Sequence, residues 1–82
     1  MLKMSSRDIN HAAIAKATGD IVEVVKQPGT RRVVFYFTDT PEINDLLQRF
    51  ERREVLPIPA KCILNARTTL YHLAAAVARG EI

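Results

Sequence analysis

The fold of this chain is decided by the segment Arg31-Arg32-Val33-Val34-Phe35-Tyr36-Phe37-Thr38-Asp39-Thr40-Pro41-Glu42, where a strand ends and a helix begins. The run of β-branched and aromatic residues up to Thr38 predicts a strand. Thr40 as N-cap, Pro41 at the first helical position and Glu42 beside the positive end of the helix dipole predict a helix start. We therefore place the change from strand to helix at Thr40.

A second strand is predicted directly before this segment. Residues 20–26 have strand character, and Gln27-Pro28-Gly29-Thr30 places Pro and Gly at the centre of a type II turn. The two strands should form an antiparallel hairpin. With an even loop, Val24 faces Val33 and Val22 faces Phe35, which gives an apolar face of Val22, Val24, Val33, Phe35 and Phe37. The other face then carries Ile21, Glu23, Val25, Arg32, Val34 and Tyr36, whereas an odd loop would mix the two sets.

Three helices are predicted around the hairpin. The first covers about residues 6–17, where apolar residues recur at helical spacing, and Thr18-Gly19 ends it. The second follows the second strand, and its core stripe consists of Ile43, Leu46, Leu47 and Phe50. The third covers about residues 60–79, and its apolar surface is wide enough to serve two contacts.

Residues 54–59, between the last two helices, are predicted to be extended because each proline moves its predecessor out of the helical region. This segment can add a short edge strand. The predicted fold class is α+β, with the order α-β-β-α, a short extended proline segment, and α, in which the antiparallel hairpin packs on helices. We expect a single small domain over residues 1–82, with residues 1–4 disordered.

Length and composition narrow the class of protein. A chain of 82 residues allows one domain, and its one cysteine, Cys62, excludes a disulfide framework and favours a reducing compartment. The start, Met1-Leu2-Lys3-Met4-Ser5-Ser6, turns polar at once and lacks the apolar core of a signal peptide, and no later run approaches the roughly 20 apolar residues of a membrane span. We expect a soluble cytoplasmic protein that does not contact membranes.

Three motifs carry a resemblance to a known group of domains. They are Ser6-Arg7-Asp8-Ile9 at the first helix, Val33-x-Phe35-x-Phe37-x-Asp39-Thr40-Pro41-Glu42 in the middle, and Pro59-Ala60 before the last helix. On these motifs the chain resembles small bacterial and phage-associated domains of unknown function. Each motif is a packing or capping pattern. The resemblance therefore implies a fold over nearly the whole chain and no catalytic residues.

The charge balance raises the question of a polyanionic partner. The 12 basic and 9 acidic residues give a formal net charge of +3. Candidate phosphate contacts are Arg31, Arg32, Arg49, Arg52 and Arg53. Basic residues also stabilise a helix C-terminus, and Asp45 lies one turn before Arg49 as an ion-pair partner, so we favour a solvated face over a nucleic-acid interface.

Few residues suggest chemistry. Cys62, in the first turn of the third helix, is predicted to be a buried packing residue rather than a nucleophile. Asp8 and His11 share a helix face, but a metal site needs further ligands, and His72 has no acid one turn away. The sequence shows no Ser-His-Asp order, acid dyad or phosphate loop. We therefore predict no catalytic, metal or cofactor site, and no small-molecule substrate is evident.

The function predicted from these patterns is a non-enzymatic interaction module that forms a homodimer. A two-stranded hairpin is marginal alone, its second face is too apolar for water, and the third helix has apolar width to spare. The residues expected at the interface are Ile21, Val34, Tyr36, Leu64 and Tyr71. The alternative is a nucleic-acid-binding accessory protein of a bacterial or phage system.

Overall fold

The computed structural model describes residues 2–81, which form a three-stranded antiparallel sheet and three helices. The strands are β1 (Lys3–Ser6), β2 (Glu23–Lys26) and β3 (Val33–Thr38). The helices are α1 (Ile9–Ala17), α2 (Pro41–Glu51) and α3 (Ala60–Ala78). The order along the chain is β1-α1-β2-β3-α2-α3. The predicted α+β class, with an antiparallel hairpin packed on helices, is confirmed.

β3 is the central strand of a sheet whose order is β1-β3-β2. The predicted hairpin is present, but Val24 pairs with Phe35 and Lys26 pairs with Val33, two residues away from the predicted register. The predicted turn is present, since the Thr30 amide bonds to the Gln27 carbonyl at 3.3 Å. The Gln27 amide then bonds to the Arg32 carbonyl at 2.9 Å, so the loop is two residues longer than expected. A shift of two residues preserves the alternation of faces, so the predicted apolar face is correct.

The first strand was not predicted. Residues 3–6 pair with β3, with Met4 opposite Phe37, where we expected disorder up to residue 4 and a helix from Ser6. Helix α1 instead begins at Ile9, because the Asp8 carboxylate accepts the Asn10 amide at 2.8 Å and caps it. Met4 is the one large apolar side chain in a four-residue strand, so the local pattern was too weak to predict it. Met1, included in the expected disorder, lies outside the described residues.

The helices cover one face of the sheet. α1 contacts β1, β3, α2 and α3, while α3 also packs on β2 and β3. The predicted stripe of α2 is correct, since three of its four residues are buried and Phe50 packs against the core. The core consists mainly of Ala12, Ala13, Ile14, Ala15, Phe35, Phe37, Ile43, Leu46, Leu47, Ala66 and Leu70. α1 therefore lies at the centre of the helical layer.

The segment between α2 and α3 is irregular rather than a strand. Residues 54–59 form no ladder with the sheet, whose edges are β1 and β2. Leu56 and Ile58 are partly buried against the core, so the prolines direct this segment across the helices. Within residues 2–81, no helix combines the length and the apolar character needed to cross a membrane.

Candidate functional site

The outer face of the sheet, opposite the helices, carries the first group of predicted interface residues. Val34 and Tyr36 of β3 are partly exposed on it, beside Val25 of β2, which is 41% exposed. Ile21 precedes β2 and is 86% exposed. Lys3 and Glu23 lie 3.6 Å apart as an ion pair. The outer sheet face is therefore an apolar strip with charged neighbours.

Leu64 and Tyr71 belong to a different layer. They lie seven residues apart on α3 and are 61% and 62% exposed. α3 covers the inner face of the sheet, so these two side chains do not share a surface with Val34 and Tyr36. The five predicted interface residues thus divide between two surfaces.

The five arginines predicted to contact phosphate also lie at two separate places. Arg31 and Arg32 are exposed in the β2–β3 turn, whereas the other three arginines lie at the end of α2. Arg49 bonds to Asp45 at 3.0 Å, and Arg52 bonds to Glu54 at 2.8 Å. These carboxylates neutralise two of the five guanidinium groups.

A hydrogen-bonded chain links the end of β1, the start of α1 and the end of α2. His11 Nδ1 lies 3.0 Å from Ser6 Oγ, and His11 Nε2 lies 2.6 Å from Glu51 Oε1. The His11 ring also meets the edge of Phe50, with ring centroids 5.9 Å apart. Sequence reasoning missed this chain because Glu51 lies 40 residues from His11. The Asp8–His11 spacing was the only local signal.

The Ser6-His11-Glu51 chain has the residue types of a nucleophilic triad, which the sequence did not reveal. Ser6 Oγ also accepts the Asp8 amide at 3.0 Å, an ordinary turn contact before a helix. Asp8 Oδ2 lies 3.7 Å from His11 Nε2, so Asp8, His11 and Glu51 could supply three metal ligands. The carboxylates of Asp8 and Glu51 are both exposed, and each is already hydrogen-bonded to another residue of the protein. The hydrogen bonds among Ser6, His11 and Glu51 are best explained as a structural link between α1 and α2.

A groove of about 370 Å³ lies between β1 and α2. Met4 and Leu47 give it an apolar floor, and the polar residues around it are Asn44, Gln48, Glu51 and Arg52. The sequence could not reveal this groove, because its strand wall was expected to be disordered.

A second cavity, of about 310 Å³, lies between the end of α1, the end of β3 and the start of α2. Asp20 and Glu42 contribute acidic groups to it. Asp20 accepts the Thr38 amide at 2.8 Å and the Thr38 hydroxyl at 2.9 Å. Partial burial raises the pKa of Asp20, but the hydrogen bonds from Thr38 and from the Ile21 amide, together with the charge of Lys3, lower it more, so its pKa lies below the ordinary 3.8. Asp20 thus fastens the chain after α1 to the end of β3.

Cys62 is exposed, which contradicts the prediction that it is a buried packing residue. In the first turn of α3 only Ile63 is partly buried, because this turn extends past the core.

Comparison with known proteins places the chain in a family. The model of a domain of unknown function, DUF5659, matches residues 3–69, from β1 into α3. The chain belongs to this family. No curated protein and no solved structure matches the chain. The resemblance to a family of unknown function is confirmed, and DUF5659 membership leaves the activity to be inferred from the structure.

Proposed function

We propose that this DUF5659 domain is a non-enzymatic interaction module of a bacterial or phage system, which self-associates as a dimer in the cytoplasm. The main support is the outer sheet face, where Val25, Val34 and Tyr36 lie together and no described helix covers them. Leu64 and Tyr71 on α3 add a second apolar surface. Burying such side chains against a partner gains roughly 25 cal/mol per Å² of apolar area.

The polar side chains favour an interaction module over an enzyme. The Ser6-His11-Glu51 chain ties two helices together, and Ser6 lines neither the groove nor the cavity at Asp20. Asp20 is likewise occupied by Thr38. These groups bond to one another within the protein, whereas no other element within residues 2–81 covers the apolar side chains of the outer sheet face or the exposed Leu64 and Tyr71.

Sedimentation equilibrium over micromolar to millimolar concentrations tests the proposed self-association. We expect the mass of a dimer at the upper concentrations. A monomer mass throughout would overturn it. Tyr36→Ser on the outer sheet face and Tyr71→Ser on α3 truncate the same residue type, and a weaker dimer in either variant assigns the contact to that surface.

Nucleic-acid binding is the second candidate. It is supported by the net charge of +3 and by Arg31 and Arg32, which lie together in an exposed turn and make no ion pair within the described residues. Fluorescence anisotropy with labelled single- and double-stranded oligonucleotides at low salt tests it. This function requires binding that weakens as salt rises and that is reduced in Arg31→Gln/Arg32→Gln but not in Arg49→Gln.

A further inference from the structure

The free edge of β1 has main-chain groups directed away from the sheet. The Asp39 amide bonds to the Leu2 carbonyl at 2.9 Å, so Leu2 and Asp39 form a hydrogen-bonded pair. In an antiparallel ladder such pairs alternate, which directs the Met4 and Ser6 main chain toward β3. The amide and carbonyl groups of Lys3 and Ser5 therefore point outward, and both residues are exposed.

The groove beside this edge fits an apolar side chain. Its floor is Met4 and Leu47, and three of its polar residues already have partners in the chain. Asn44 donates to Asp39, Glu51 bonds to His11, and Arg52 bonds to Glu54. No charge around the groove is thus left to select a charged ligand. An open strand edge beside an apolar groove is the arrangement used for strand addition.

We propose that the occupant is β1 of a second copy of this chain, so that two three-stranded sheets join into one of six strands. This inference rests on the proposed self-association, and it places the dimer contact at the edge of β1 rather than on the outer sheet face or on α3. In a two-fold antiparallel pairing of β1 with its copy, a central residue lies on the symmetry axis, opposite itself. Because Lys3 and Ser5 carry the outward groups, this central residue is Lys3, Met4 or Ser5.

The charges of the side chains that face each other distinguish these three registers. A centre at Lys3 places the two Lys3 side chains opposite each other, and a centre at Ser5 places Lys3 opposite Arg7. Like charges directly opposite each other destabilise a sheet. A centre at Met4 pairs Lys3 with Ser5 in both directions and brings the two Met4 side chains together over the two grooves. The ion pair of Lys3 with Glu23 lies on the outer sheet face, away from the outward main-chain groups of Lys3.

Disulfide trapping tests this register. Met4 would form a non-hydrogen-bonded pair with its copy, with Cα atoms about 4.5 Å apart, which suits a disulfide. Ser5 and its copy would be about 8 Å apart, which is too far for a disulfide. Exposed Cys62 must first be replaced by Ser. In this background, under mild oxidation, we expect Met4→Cys to give covalent dimer in at least about tenfold higher yield than Ser5→Cys.

A second pair of variants tests the edge without a cysteine. Ser5→Pro removes an outward amide that β1 does not use, and Ser5→Ala keeps it. Sedimentation should show at least a tenfold weaker dimer for Ser5→Pro only. In the wild-type protein, the Ser5 amide should exchange hydrogen more slowly as concentration rises.

The outcomes separate this inference from the proposed function. A monomeric wild-type protein would overturn both. A wild-type dimer whose cross-linking does not favour Met4→Cys, or whose Ser5 amide exchange is independent of concentration, would overturn the edge pairing alone.

Discussion

Thr40 shows how one side chain sets the start of a helix. Its hydroxyl accepts the Ile43 amide at 3.2 Å, and Pro41 occupies the first turn, as the sequence predicted. Replacing Thr40 with Ala should lower the free energy of unfolding by about 1 kcal/mol, because that amide loses its partner. Urea denaturation measures the change.

Thr69→Ala is the matched control, since Thr69 is exposed within α3. It should change the stability by less than about 0.5 kcal/mol. Equal losses in the two variants would contradict a capping role for Thr40.

Asp20 should make stability depend on pH. Its folded pKa lies below 3.8, so the ionised carboxylate stabilises the fold above that pH. This contribution disappears as the pH falls through the lowered folded pKa. We expect Asp20→Asn to be less stable than wild type by about 1 kcal/mol at pH 7, with a gap that narrows below pH 4.

Urea midpoints at pH 7, 5 and 3 measure this effect. Asp45→Asn, which loses only the exposed ion pair with Arg49 within α2, is the comparison and should show a smaller gap. A stability gap for Asp20→Asn that stays constant from pH 7 to pH 3 would show that its charge does not hold Thr38.

At the scale of elements, His11 and Glu51 join α1 to α2. A double-mutant cycle of His11→Ala and Glu51→Ala should give a coupling of about 0.5–1 kcal/mol, reduced by the exposure of Glu51. The ion pair of Asp45 and Arg49, which lies within α2, should give about 0.3 kcal/mol. A coupling for His11 and Glu51 no larger than that of the helical pair would contradict the tie.

The elements also show what the sequence can predict. The start of α2 was predictable because Thr40, Pro41 and the strand before them act locally. β1 was not, because four residues with one large apolar side chain become a strand only when β3 supplies the ladder. The groove and the contact of His11 with Glu51 were missed for the same reason, since each needs residues about 40 positions apart.

For the whole molecule, β1 should contribute to stability, which a disordered tail would not. A chain that starts at Arg7 loses the ladder with β3, the burial of Met4 and the contact of Ser6 with His11. We expect its free energy of unfolding to fall by about 2 kcal/mol or more. The measurement is urea denaturation.

Removing residues 80–82 is the comparison for this truncation, because it takes away only the C-terminal cap of α3, where the Gly80 and Glu81 amides bond to the Val77 and Ala76 carbonyls. It should lower the free energy of unfolding by less than the loss of β1. An unchanged midpoint in the chain that starts at Arg7 would show that β1 does not contribute to the fold.

The four consecutive buried residues of α1, Ala12 to Ala15, have a consequence for how the domain folds. This turn of α1 is buried on every side, so it gains its burial only when the sheet, α2 and α3 are all in place. The parts of the domain should therefore unfold together in one cooperative transition. The four positions should also tolerate few substitutions, because any larger side chain must displace a neighbour in a close-packed interior.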